Sequence, residues 1–376
     1  MGYNGRMTTP AEHDPDALND ALIGKLKAEG ALHSPDTERA FRRVHRHHFL
    51  PGLDAQAVYR DEAIATHRRE SDEWISSSSQ PAMMAIMLEQ LQLGRGMHVL
   101  EIGAGTGYNA ALLAALTGDA WNVWTVDMDE EFCAEARAHL EAAGAGGVRV
   151  LCADGWQGWP DAAPYDRIIV TASAYDIAPA WFGQLREGGV MVVPWGAPFQ
   201  QRCLGFRKQN GRLIQQATHA CGFMKMRGRH EWTDQPPPEA EDAWERPWSV
   251  SPPPIAGTAL DDLAFFLSLF LWPLIPTIFW MGEPSDDTAK RLGLMDRTRR
   301  ILATVEMEER WKTVGSGDRK KAEDLEEYAA LWQQWGRPTP EQVRLTAYPR
   351  GTAPVADGDV GLARREWFDY VVSVGD

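Results

Sequence analysis

Val99-Leu100-Glu101-Ile102-Gly103-Ala104-Gly105-Thr106-Gly107 is the stretch on which the reading of this 376-residue chain turns. An apolar run broken by one acid leads directly into three glycines at alternate positions, and the Ala-rich residues 110–116 follow. That order predicts a strand, a tight turn and a helix. Glycines let such a turn bend sharply and let a ligand approach the backbone closely. Alone, G-x-G-x-G serves a dinucleotide enzyme or a purely structural loop equally well.

Outward from the turn, short apolar runs alternate with longer amphipathic ones. Strands are predicted over 97–102, 122–126, 148–151, 167–171 and 190–193, and helices over 110–116, 130–143 and 177–185, the last stopped by Gly188-Gly189. This is the pattern of a doubly wound α/β unit, a parallel sheet with helices on its faces. Asn210-Gly211 between 202–207 and 213–218 predicts an antiparallel hairpin that finishes the sheet. Upstream, Pro81 opens the apolar residues 83–93, a predicted helix packed on the sheet with proline in its first turn. Residues 16–29 and 35–44 read as surface helices.

The length suits a catalytic domain plus a substantial second one. Pro236-Pro237-Pro238 and Pro252-Pro253-Pro254 bracket an acidic stretch that reads as irregular. The expected division is a helical segment over 1–75, a core over 76–230, a Pro-rich linker over 231–254 and an accessory domain over 255–376. In that last part the apolar run 263–281 is long enough to span a bilayer. Pro273 and Pro276 interrupt it and Asp261 and Asp262 abut it, so it is read as buried helices, with no membrane partner. Residues 319–335 suit a helix, and 343–348 and 367–374 suit strands.

Thirty-eight basic against 53 acidic residues leave a net charge of -15, which repels a phosphate backbone and argues against nucleic acid as a partner. The four cysteines are scattered without a C-x-x-C pair, and residues 1–10 carry no signal-peptide pattern, so a cytoplasmic setting is expected. His45, His47 and His48, beside Arg42, Arg43 and Arg46, read as a solvated helix face. No metal is predicted.

Asp127 ends the second predicted strand about twenty residues past the glycines, where an acid can hold ribose hydroxyls. Its bland alternative is to cap the turn Asp127-Met128-Asp129. Asp154, after the third strand in Cys152-Ala153-Asp154-Gly155-Trp156, is placed to accept from an adenine amino group. Tyr108 and Asn109 follow Gly107 where a dinucleotide enzyme would carry the longer glycine spacing, which favours a methionine-bearing adenosine cofactor. Ser76-Ser77-Ser78-Ser79 before Pro81 is, from its residues alone, a linker or a helix cap.

Several blocks in order resemble the protein-L-isoaspartate methyltransferases: Ser79-Gln80-Pro81, Glu101 to Gly107, Asp154-Gly155-Trp156-Gln157-Gly158-Trp159-Pro160, Tyr165 to Ala172 and Leu185-Arg186-Glu187-Gly188-Gly189. The likeness runs over about 42–227. It implies a class I, Rossmann-like methyltransferase fold with a smaller carboxyl-terminal α+β domain, and S-adenosylmethionine as cofactor with S-adenosylhomocysteine as product. It further implies Gly103, Gly105 and Gly107 as the cofactor loop, with Glu101, Asp127, Met128, Asp154, Gly155 and Trp156 around the cofactor. Ser79 matches the active-site serine, and Ser78, Gln80 and Arg227 are expected near a peptide or protein substrate carrying Asp or isoAsp. Phe223-Met224-Lys225-Met226-Arg227-Gly228 stands where the repair enzymes resemble a Pro-Leu-Thr stretch. Together with the serine run and the extension, this resembles a subgroup that methylates aspartate in ribosomally made peptides so that an aspartimide forms.

Overall fold

The computed structural model describes residues 14–69, 74–196, 201–228, 230, 259–271, 275–280, 290–295, 301–306, 312–313, 319–354 and 361–375. The chain divides into two compact units, the first reaching Ala172 and including Ala178–Pro194 and Gly205–Lys208. The second takes Ser173–Ile177, Trp195–Leu204 and the chain from Gln209. Short pieces after two of the parallel strands group with the carboxyl-terminal half. The expected linker over 231–254 lies outside the described residues.

The first unit opens with α1 (Pro15–Ala28), α2 (Pro35–Arg43), a 3-10 turn at Arg46–Phe49 and the short α3 (Ala55–Val58). Asp14 and Ser34 cap the first two helices by accepting from the N–H groups of Asp16 and Thr37, and a proline in each first turn occupies a place that needs no N–H. An antiparallel hairpin of β1 (Ile64–Arg68) and β2 (Trp74–Ser78) follows. Ser76–Ser78 are therefore strand residues, neither linker nor cap. The N-cap of α4 (Pro81–Leu91) is Gln80, which makes no side-chain cap bond.

Next come β3 (Val99–Ile102), α5 (Tyr108–Thr117), β4 (Val123–Asp127), α6 (Glu130–Ala142), β5 (Arg149–Cys152), β6 (Tyr165–Val170), α7 (Pro179–Gln184) and β7 (Leu185–Trp195). Their strands lie parallel in the order β7-β6-β3-β4-β5. The chain winds outward from β3 to β5 and returns beside β3 as β6, so the switch point where ligands of open α/β sheets bind falls between β3 and β6. This is the Rossmann-like methyltransferase fold. Both faces of the sheet are covered, and Val99, Leu100, Val123, Val126, Ile168 and Val192 are buried, as the apolar strand runs require.

One expected helix is shortened. α7 has six residues, and Gly188-Gly189 does not stop it, because both glycines lie inside β7. Tyr165 pairs with Leu185 and Arg167 with Val190, so residues 186–189 bulge outward, with Gly188 at a φ of 76°.

β8 (Arg202–Gln209) and β9 (Arg212–Ala220) flank Asn210 and Gly211, whose φ values of 53° and 71° are those of a type I′ hairpin turn. The second unit continues with α8 (Ala259–Phe270), β10 (Ile275–Trp280), β11 (Lys290–Met295), β12 (Ile301–Glu306), β13 (Lys312–Thr313), α9 (Arg319–Gln334), β14 (Val343–Pro349), β15 (Gly361–Arg364) and β16 (Phe368–Val374). β10 to β13 form an antiparallel meander, and β15-β16-β14-β9 form a second antiparallel array.

The apolar run 263–281 is thus a helix followed by a strand rather than two helices. Pro276 is tolerated because β10 is an edge strand. Leu263, Phe266 and Leu267 of α8 bury against Trp332 of α9. No helix among the described residues is long and apolar enough to cross a membrane.

Candidate active site

The glycine turn after β3 is built for two separate reasons. Gly103, Gly105 and Gly107 have φ of 102°, 50° and 87°, a region that L side chains rarely enter. A Cβ on Gly103 would stand 2.4 Å from Thr171 Oγ1, and one on Gly107 would stand 3.2 Å from the Ala136 carbonyl oxygen. Gly105 meets only the Ser77 carbonyl, at 3.8 Å. The outer glycines permit packing, whereas the middle one keeps the backbone open beside the serine strand, a cradle that fits an adenosine cofactor.

Asp127 caps the turn that follows β4 and also reaches the glycine turn. Its Oδ1 accepts from Asp129 N–H at 3.3 Å, and its Oδ2 accepts from Gly105 N–H at 3.2 Å. One carboxylate thereby braces two loops at the carboxyl edge of the sheet. Met128 beside it is 42% exposed. Asp154 accepts from Trp156 N–H at 3.0 Å, and Gly155 lies so close to Ile102 that a Cβ would stand 2.6 Å from its Cγ2. The loop after β5 therefore lies on the end of β3.

Two of the residues expected at the cofactor, Glu101 and Trp156, are buried. Glu101 is 0% exposed; it accepts from Thr125 Oγ1 at 2.6 Å and from Asn109 Nδ2 at 2.7 Å, tying β3 to β4 and α5. Burial pushes its carboxyl up to about 7 despite those two donors, with the Asp127 charge adding to the rise. Trp156 is buried with its ring 5.4 Å from that of Trp181, whose Nε1 donates to the Gly155 carbonyl at 2.8 Å.

The serine strand alternates as strands do. Ser76 Oγ accepts from Thr66 Oγ1 at 2.9 Å, and Ser78, only 3% exposed, accepts from Arg46. Ser77, on the other face, and Ser79, just past the strand, are half-buried. Ser78, expected to meet substrate, is thus turned inward. Gln80 is exposed, and its Nε2 donates to Asp61 Oδ2 at 3.0 Å while Asp61 Oδ1 accepts from Ala82 N–H at 2.8 Å. Arg227 belongs to the second unit, next to Met226, whose N–H donates to the Ser173 carbonyl. The other expected site residues all fall in the first unit.

Sequence reasoning misses Arg46, Asp61, Ser77 and Thr171. The neighbours of Arg46 along the chain suggest a solvated basic face, yet it is 0% exposed. Strand alternation applied to residues 74–78 is the signal that separates Ser77 from Ser78. Thr171 Oγ1 lies 2.8 Å from the Gly103 carbonyl and 2.9 Å from that of Ile102, joining the two sides of the switch point. The histidine cluster is organised by Tyr59, 2.7 Å from His47 Nδ1. Among the described residues, His67, Glu131 and Glu135 bring side-chain atoms within 4.8 Å of one another, a His–Glu contact at the start of α6.

Comparison with known proteins agrees with this geometry. The protein-L-isoaspartate O-methyltransferase of Methanosarcina mazei is 36% identical over 219 residues, covering 58% of this chain and 87% of that protein. Its counterpart in Ignicoccus hospitalis is 39% identical over 173 residues, covering 46% of this chain and 79% of that protein. A solved protein-L-isoaspartate O-methyltransferase matches with a TM-score of 0.55 at 25% identity, over 87% of this chain and 96% of its own. The model of the family described as "Protein-L-isoaspartate(D-aspartate) O-methyltransferase (PCMT)" matches residues 17–231, more than half of the chain, which therefore belongs to that family of S-adenosylmethionine-dependent protein carboxyl O-methyltransferases.

Proposed function

We propose that this chain esterifies an aspartate side chain in a ribosomally made precursor peptide, and that the ester then closes to a succinimide. The bound cofactor supplies a methyl group on a sulfonium. A carboxylate of pKa ~4 is already ionised at neutral pH, so no general base is needed and the protein's work is positioning. Ser79 orients the carboxylate by donating a hydrogen bond, and the Gly103–Gly107 turn with Asp127 and Asp154 orients the cofactor. The cofactor, held by that turn with Asp127 and Asp154, would supply the methyl, a new C–O bond to the carboxylate replacing the S–CH3 bond whose electron pair would stay on sulfur. The backbone nitrogen of the following residue then attacks the ester carbonyl, its proton leaves with methoxide as methanol, and the ring closes.

The observation that carries this reading lies in the second unit. The loop Ser173–Ile177, which follows β6, is built into the extension: Asp176 accepts from Trp367 N–H at 2.8 Å and from Tyr370 Oη at 2.7 Å, and Arg365 donates to the Tyr175 carbonyl at 3.3 Å. In open α/β sheets the segments that follow the strands commonly carry substrate contacts, and this one is held by residues of the extension. Phe223 to Gly228, in place of the repair enzymes' segment, points the same way.

Repair of L-isoaspartyl proteins is the second reading, and a specific observation favours it. The solved isoaspartate methyltransferase covers 87% of this chain, so the extension alone does not mark peptide maturation. Mass spectrometry of a genomically neighbouring precursor peptide and of an isoaspartyl peptide, each incubated with enzyme and S-adenosylmethionine, separates the two. Gain of one methyl followed by net loss of water on the precursor alone supports maturation. Turnover of the isoaspartyl peptide alone overturns it in favour of repair.

A further inference from the structure

We propose that Arg46 is a positioning residue for methyl transfer, its buried guanidinium holding the backbone at Ser78 and Ser79 in the geometry that aims Ser79 at the substrate carboxylate. The proposal rests on Ser79 belonging to the active site, as in the function proposed above.

Arg46 Nη2 donates to the carbonyls of Ser79 at 2.9 Å and Ser78 at 3.2 Å, and to that of Glu62 at 3.1 Å. Nη1 donates to the carbonyls of Val58 at 2.8 Å and Arg60 at 3.2 Å, and Ser78 Oγ lies 3.3 Å from Nη2 and 3.4 Å from Nε. One planar fork thus joins the chain before β1 to the end of β2. None of these acceptors is a carboxylate, and among the described residues Arg46 makes no ion pair. Taking a cation out of water without a paired anion is unfavourable unless its donors are satisfied, and here they are satisfied by backbone at the serine strand. Burial accordingly draws the guanidinium's pKa down.

The strand so held lies against the cofactor turn, since Ser77's carbonyl is 3.8 Å from where a Gly105 Cβ would stand. From the other side Asp61 holds the Gln80 side chain and the Ala82 N–H. Residues 78–82 are thereby gripped by one buried cation and one carboxylate, with Ser79 between the two grips. Lysine cannot replace the fork, because a single ammonium has three donors and no plane on which to spread them.

The test compares Arg46→Lys and Arg46→Met with wild type and with Arg42→Met, a change of an exposed arginine whose partners are Asp20 and Glu38. With whichever aspartyl or isoaspartyl peptide the wild type turns over, kcat falls about 10²-fold in both Arg46 variants, the order expected when a reacting group is misplaced by about 1 Å. The calorimetric Kd for S-adenosylhomocysteine stays within about twofold, because the hydrogen bonds of Gly105 and Asp127 are untouched. Arg42→Met matches wild type. Hydrogen–deuterium exchange quickens in the peptide covering 74–80 and not in that covering 99–109.

Should Arg46→Met fail to fold, Arg46→Lys and Ser78→Ala carry the test, the latter with a smaller fall in kcat. Folded Arg46→Lys with wild-type kcat, or with cofactor affinity lost in step with kcat, overturns the proposal. A wild type that methylates no aspartyl or isoaspartyl peptide overturns the functional reading instead. In that case unchanged exchange at 74–80 in Arg46→Lys still refutes the clamp, and quickened exchange upholds it.

Discussion

Among the described residues, each unit buries one carboxyl without a direct ion pair, and the two are held by very different means. Glu101, in β3, is pushed up to about 7 by burial and bonded by Thr125 and Asn109, which lie 24 and 8 residues away along the chain. Asp176 is pushed up to about 6 by burial, while its bonds from Trp367 and Tyr370, with the Arg365 charge, pull the other way. Those two donors lie 191 and 194 residues downstream. Glu101 fastens a nucleotide-binding unit from within. Asp176 fastens a loop to residues 367–370, so its closure spans about half of the 376-residue chain.

Asp176→Ala should have the largest effect on stability. It strips the acceptor from Trp367 N–H, Tyr370 Oη and Ile177 N–H, and each buried polar group left unpaired costs about 1–3 kcal/mol. Urea unfolding of the full chain, followed by tryptophan fluorescence, would show it, and a loss below about 1 kcal/mol would mean that the long-range closure contributes little.

Gly103→Ala comes next, at about 1–3 kcal/mol, from a disfavoured φ compounded by the Thr171 contact. S-adenosylhomocysteine affinity should fall at least about tenfold, equivalent to 1.4 kcal/mol. Gly144→Ala, also at positive φ but with nothing within 4 Å, should cost about 1 kcal/mol and leave affinity alone. Equal losses of affinity in both would break the argument that the glycine turn is specifically fitted.

Titration sharpens the contrast between the two carboxyls. Both bind a proton more tightly folded than unfolded, so stability falls as pH rises: from the ordinary 3.8 to about 6 for Asp176, and from 4.5 to about 7 for Glu101. Glu101→Gln should flatten the upper part of that decline, by at most about 1.4 kcal/mol per pH unit, and leave the lower part. An unchanged profile above pH 6 would show that Glu101 is not the titrating group. The smallest expected effect belongs to Met128→Ala, whose side chain is exposed: stability should stay within about 0.5 kcal/mol in thermal denaturation, with any change confined to cofactor affinity.

What is legible in the residues follows the same divide. The strand–glycine–helix turn, the acids after β4 and β5 and the Asn210-Gly211 hairpin all depend on neighbours within a few residues, and their order along the chain is enough to place them. Residues 185–195 are harder, because a glycine pair signals a helix stop and a bulge alike until pairing with β6 selects the bulge. The extension's strands over 290–295, 301–306 and 361–364 carry too little periodicity to be read in advance. At the site the glycine turn is plain from its residues, whereas the inward turn of Ser78 requires knowing that residues 74–78 form a strand.

By itself, then, the sequence determined the parallel α/β core, its nucleotide edge and the family, because steric preferences of glycine, proline and alternating apolar residues act over short distances. Only the tertiary structure decided that Arg46 is buried beneath the serine strand, that Glu101 is an internal tie and that Asp176 is claimed by Trp367 and Tyr370. Those outcomes depend on desolvation, and whether a charge is removed from water is settled by which residues, 8 or 194 positions away, fold over it.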